Sequence, residues 1–143
     1  MLNEEVQMSK ELMERELFYK VVGLASAIHR ELGQGLPEHI YQSALLLELD
    51  ENNIKYEVNK EIDVTYKKKP IDTLKLDLLV GNKLIVTIIS NEDLKKQAKT
   101  TMLSVLRLID KNTGLLLDYS HDTIYYKRVV YKSRKTKNIQ SAF

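Results

Sequence analysis

Glu38 and Tyr41 are the residues whose types and spacing first suggest chemistry. They stand in Gly35-Leu36-Pro37-Glu38-His39-Ile40-Tyr41. Three residues apart on a helix, they share one face. Glu38 falls in the first turn, where the helix dipole favours negative charge. The plain alternative is an acidic helix start with a tyrosine that packs. A second group is cationic: Lys127, Arg128, Lys132, Arg134, Lys135 and Lys137. From His121 onward these six face a single acid, Asp122, so the segment carries +5 and the rest −3 of a total of +2. Such a segment attracts phosphate backbones or acidic partners; the alternative is a solubilising terminus. Tyr119, Tyr125, Tyr126 and Tyr131 lie nearby. Tyrosines among basic residues can stack on bases, but in strands they also serve as packing. His29, His39 and His121 match no zinc spacing. There is no cysteine, which excludes disulfides and thiolate metal sites. The expected setting is therefore cytoplasmic, or another reducing compartment.

The elements that must position these groups can be read from periodicity. At 143 residues, 43% apolar and 29% charged, the chain reads as one globular domain. It contains no run of eighteen apolar residues, so no membrane span is expected. The polar, acidic start does not resemble a signal peptide. Residues 1–8 are expected to be a loose acidic lead-in, 9–131 the domain and 132–143 a basic tail. Leu17, Val21, Leu24, Ala25, Ile28 and Leu32 recur at helical spacing, predicting a helix over 9–32 that ends at Gly33. Pro37 suits the first position of a second helix, over 37–51, because it has no amide proton to leave unsatisfied. That helix is apolar around much of its circumference, which predicts a central place.

The period then changes to two. Ile54, Tyr56 and Val58, then Ile62, Val64 and Tyr66, alternate with polar residues, predicting one long strand or two short ones. Lys67-Lys68-Lys69-Pro70 reads as a turn. A strand over 71–80 puts Lys75, Asp77 and Leu79 on one face, and Gly81-Asn82-Lys83 is a hairpin signal. The segment 84–89 is apolar on both faces and predicts the sheet centre. Asn91 can cap a helix over 92–109, and strands follow over 114–119 and 123–131. The fold string is α-α-β-β-β-α-β-β, an α/β (α+β) domain with a mixed sheet flanked by helices.

Gly35-x-x-Glu38-x-x-Tyr41, after His29-Arg30-Glu31-Leu32-Gly33, resembles the GxxExxY proteins, a branch of the PD-(D/E)XK nuclease-like superfamily. The likeness continues through Leu76-Asp77-Leu78-Leu79-Val80, the 84–89 strand, the 92–109 helix and Gly114-Leu115-Leu116-Leu117. It covers roughly Glu14 to Tyr131. It implies a restriction-endonuclease-like core and a nuclease ancestry. In such sites a strand Asp and a Glu on the next strand hold Mg²⁺, a Lys two residues beyond that Glu readies the attacking water, and a helix Glu completes the set. Hard cations want carboxylate oxygens, and phosphodiester cleavage needs charge neutralised beside a poised nucleophile.

Carried over, Glu38 matches the helix Glu and Asp77 the strand Asp. The Glu-x-Lys pair falls on Thr87 and Ile89, and a Gln and a Tyr usual in the following helix fall near Thr101 and Val105. A three-residue loop at Gly81-Asn82-Lys83 would pair Val80 with Leu84 and set Asp77 opposite Thr87; a two-residue loop would set it opposite Val86. Lys75 is a possible migrated lysine, and Glu61 or Glu92 a possible second carboxylate. Glu38 and Asp77 are the metal ligands only if a weak Mg²⁺ site survives; otherwise no cofactor is expected. Three readings follow. One is a degenerate nuclease-like domain that binds nucleic acid through its basic tail or assembles with a protein partner or a second copy. Another is an active metal-dependent nuclease with relocated residues. The third is a purely structural subunit. Fold ancestry alone does not choose among them.

Overall fold

The computed structural model of the chain describes residues 2–109, 111 and 113–132. Helix α1 spans Leu2–Leu32, so it runs through the residues expected to be a loose lead-in. Helix-forming Leu, Glu, Met and Lys residues dominate there, and Glu4 and Glu5 in the first turn suit the dipole. Phe18, Val21, Val22, Ala25 and Ile28 form its buried face. Gly33, at φ 80°, closes the helix by donating its amide to the His29 carbonyl at 2.8 Å. Helix α2 is Glu38–Glu51, with Pro37 as its N-cap rather than its first helical residue. Its buried stripe is Tyr41, Leu45 and Leu49, one residue per turn. Leu47 on the opposite side is 66% exposed, so α2 lies over the sheet and is not enclosed as its composition suggested.

Five strands form one sheet in the order β1-β2-β3-β4-β5: β1 Tyr56–Tyr66, β2 Lys69–Val80, β3 Leu84–Ile89, β4 Thr113–Asp118 and β5 Tyr125–Val130. The fold string is the expected one, and β3 is central. β1 is a single strand. The turn after it is only Lys67 and Lys68, with Lys69 and Pro70 already in β2. Pro70 is tolerated because β2 is a sheet edge there, with no β3 residue opposite. β3 and β4 run parallel, which requires a crossover. A short 3₁₀ turn, Glu92–Leu94, and helix α3, Lys95–Ile109, supply it. The Asn91 side chain caps that start, accepting from the Asp93 amide at 3.0 Å.

Helices α1 and α2 cover one face of the sheet, over Leu78, Val80, Val86, Leu115 and Leu117. Helix α3 covers the other through Met102 and Leu106, over Leu79 and Ile85. Leu76 belongs to this second core although Leu78, two places on, belongs to the first. The ladder skips Asn59, which has a φ of 55° and would face Asp77. Asp77 lies on the α3 side with Leu79, as alternation places it, and Leu76 packs into the same core. Among the described residues, no helix is long and apolar enough to cross a membrane.

Candidate functional site

The Tyr41 side chain explains how Glu38 is placed. Its hydroxyl donates to the Gly33 carbonyl at 2.7 Å and accepts from the Leu36 amide at 3.1 Å. Both ends of the turn between α1 and α2 are thereby tied to the first turn of α2. The Tyr41 ring stacks on Tyr119 with centroids 3.9 Å apart, and Tyr119 stacks in turn on His29 at 5.7 Å. The Tyr119 hydroxyl donates to the Ala25 carbonyl at 3.0 Å, and its own carbonyl accepts from the Gly35 amide at 3.0 Å. Burial, with Tyr41 adding to it, pushes the Tyr119 phenol well above its ordinary range. Tyr119 is thus a core residue locking the turn and is not available to stack on a base. Tyr125 and Tyr126 are exposed.

With the turn fixed, Glu38 reaches a cleft of about 290 Å³ between the sheet and α3. Lys75 and Asp77 enter it from β2, Thr87 and Ile89 from β3, and Thr101 and Val105 from α3. The positions that the family resemblance pointed to therefore line one cleft. The register agrees: Val80 pairs with Leu84 and Leu78 with Val86, so continuing one step sets Asp77 opposite Thr87. The Gly81 and Asn82 φ values of 60° and 56°, with the Lys83 amide bonded to the Val80 carbonyl at 3.1 Å, make the tight turn that fixes it. Glu38 has its carboxyl held above the ordinary value, by burial first and by the Asp77 charge second. Gln97 was not singled out by sequence, yet it lines the same cleft and donates to Thr101 Oγ1 at 3.2 Å. Its spacing of four from Thr101 was the available signal.

The donor set does not fit a resident Mg²⁺ of the ancestral kind. Two carboxylates meet there, with the Asp77 charge adding to the cost of ionising Glu38, and the β3 residues beside them, Thr87 and the 3% exposed Ile89, bring no charge. Neither candidate second carboxylate joins them. Glu61 pairs opposite Lys75 on the ribbon and does not line the cleft. Glu92 lies with its Oε1 3.5 Å from His121 Nε2. Among the described residues, no group of three or more His, Cys, Asp or Glu is arranged to hold a metal ion.

Beside Ile89, at the end of β4, Asp118 is fully buried. Its Oδ1 accepts from the Ser120 amide at 2.9 Å and the Ser120 hydroxyl at 2.6 Å. Its Oδ2 has no hydrogen bond and lies 4.0 Å from Lys95 Nζ and 3.7 Å from His121 Nε2. Lys95 Nζ also sits 3.5 Å from the centre of the Tyr125 ring. These charges tie the start of α3 to the loop after β4.

Of the basic group, Lys127 and Arg128 are exposed on β5 and point to opposite faces of the sheet as strand neighbours. The Arg128 guanidinium lies 6.0 Å over the Phe18 ring. Lys132 is exposed just past the strand. Arg134, Lys135 and Lys137 lie outside the described residues. His39 is exposed on α2 and does not line the cleft.

No match to a curated protein was found. Among solved structures, the crystal structure of SSO0001 is similar over 73% of this chain, with a TM-score of 0.52 and 19% identity. That likeness shows the fold, and the chain spans about 55% of the length of that relative. A family model for the PD-(D/E)XK nuclease superfamily matches residues 15–129, most of the sequence. The matched stretch contains both cores and the cleft where Glu38 and Asp77 meet; the chain belongs to the PD-(D/E)XK nuclease superfamily.

Proposed function

We propose that this chain is a nuclease-fold domain that has lost cleavage and works as a binding module, engaging nucleic acid or a protein partner. What supports this above all is Ile89. It lines the cleft; on the family resemblance its position is that of the water-activating lysine, and an isoleucine can neither position a water nor balance phosphate charge. Thr87 in place of the second strand carboxylate removes the charge that would hold a cation against Asp77. The cleft is lined by Leu76, Ile85, Leu94, Ala98 and Met102 beside its few polar groups. Such a surface suits an apolar contact better than a hydrated ion. The domain then needs no cofactor. Titration calorimetry with Mn²⁺ tests this: no saturable heat, and no rise in melting temperature, is the expected result. A saturable site lost in Asp77→Ala would contradict it.

One observation favours the rival reading of an active nuclease: Lys75 lines the same cleft as Glu38 and Asp77. In that case Mg²⁺ would lean on two carboxylates and substrate phosphates, and Lys75 would supply the missing cation. Cleavage abolished by Lys75→Ala in a chain that still folds would favour it.

A further inference from the structure

We propose that the β1–β2 ribbon is an arm that binds double-stranded DNA, with Lys67, Lys68 and Lys69 at its tip holding phosphates. This rests on the nucleic-acid side of the function proposed above. It names a surface on the β1 side of the sheet, whereas Lys127 and Arg128 lie on β5 at the other edge.

The ribbon is paired from Tyr56 opposite Val80 to Tyr66 opposite Lys69. β3 pairs with β2 only from Leu78 to Val80, and β1 is the outer strand. Residues 69–77 of β2 therefore run on without a sheet neighbour beyond β1. Lys75, Leu76 and Asp77 still border the cleft beside α3, and at about 3.3 Å per residue the six residues 69–74 carry the tip roughly 20 Å beyond it. Beyond Leu76, the last β2 residue buried in the core, the ribbon leaves two open edges, which proteins otherwise avoid.

The tip is built at a cost. Lys67 and Lys68 both have positive φ, 52° and 65°. A two-residue hairpin of this kind favours Asn-Gly, since a side chain in the left-handed region is destabilising. Here two lysines occupy it and a third follows. Among the described residues no ion pair holds any of the three; Lys67 Nζ only stands 5.7 Å over the Tyr66 ring. Tyr66 and Ile71 flank the turn at 65% and 64% exposure. From Thr65 to Ile71 there is no acidic residue. Three unpaired cations beside exposed apolar side chains complement a phosphate backbone. A two-stranded ribbon matches the major groove of B-form DNA, about 12 Å wide, whereas the deep, narrow groove of duplex RNA would exclude it. Lysines address phosphates and carry no base preference.

The test is binding of the full chain to a mixed-sequence DNA duplex across a salt series, with circular dichroism to check folding. Three variants are compared with the wild type. One carries Lys67→Gln, Lys68→Gln and Lys69→Gln. One carries Lys67→Asn with Lys68→Gly, which relaxes the turn while removing two cations. The third lacks residues 132–143. Each phosphate contact contributes close to one unit to the slope of log affinity against log salt. The triple variant is expected to flatten that slope by about 2–3 units and the Asn-Gly variant by about 2, although its turn is the more stable. Unchanged affinity and slope in both ribbon variants, with loss only on truncation, would overturn the arm while leaving the nucleic-acid reading standing. No binding of duplex DNA by the wild type would overturn the arm, and no binding of RNA or single-stranded DNA either would overturn the nucleic-acid reading with it. Equal binding of an RNA duplex, equally weakened by the variants, would overturn the assignment to the DNA groove.

Discussion

Two side chains of one motif do different work. Tyr41 is structural: its hydroxyl satisfies the Leu36 amide and the Gly33 carbonyl at the α1–α2 turn. Tyr41→Phe keeps the ring stack on Tyr119 but leaves both backbone groups without a partner. The expected loss is about 1–3 kcal/mol, read from urea unfolding. Glu38, by contrast, sits against its own stability. Its carboxyl is held above the ordinary value of 4.5 by burial and by Asp77. The folded chain thus resists ionising Glu38 more than the unfolded chain does. Stability from this group is fully present below about pH 4.5 and is lost as pH rises through the higher folded value. Glu38→Gln is therefore expected to raise the melting temperature slightly at about pH 7. Because the pair faces solvent, the gain is only a few tenths of a kcal/mol. The gap should close as pH falls below about 4.5. A lower melting temperature for Glu38→Gln at neutral pH would mean that a bound cation, or an unseen donor, holds the carboxylate charged.

At the scale of elements, the site was legible where local chemistry fixes geometry. Gly81-Asn82 allows a tight turn, the turn fixes the β2–β3 register, and the register sets Asp77 opposite Thr87. Helical spacing likewise brought Thr101 and Val105 to the cleft from α3. What stayed hidden depended on contacts between distant segments. Tyr119 looked like one of several strand tyrosines near a basic segment; only the packed fold puts it between His29 and Tyr41. Leu76 packs into the α3-side core although Leu78 packs into the other, which strict alternation does not anticipate. The exposed side of α2 was missed for a related reason, since Leu47 is apolar but faces solvent. The joint between α3 and β4 offers a test of packing. A Cβ on Gly114 would overlap the Met102 sulfur and stand 2.9 Å from its Cγ. Met102 is buried, so Gly114→Ala should cost about 1–3 kcal/mol through overpacking. Combining it with Met102→Ala should relieve the clash while opening a new cavity elsewhere, giving a coupling between the two sites in a double-mutant cycle.

For the whole molecule, two cores on opposite faces of one sheet hold the cleft open between β2, β3 and the crossover helix α3. The fold is that of a nuclease superfamily, and the β3 residues that reach the cleft, Thr87 and Ile89, carry no charge. Thr87 and Ile89 lie on the strand that pairs with β4 throughout, and Ile89 is buried there. An uncharged side chain at such a place avoids a desolvation cost. The most direct test is incubation of the purified chain with DNA and RNA, single- and double-stranded, in Mg²⁺ and in Mn²⁺, beside Asp77→Ala and an EDTA control. No cleavage above that of Asp77→Ala is the predicted result. Strand scission by the wild type that disappears both in Asp77→Ala and in EDTA would contradict it.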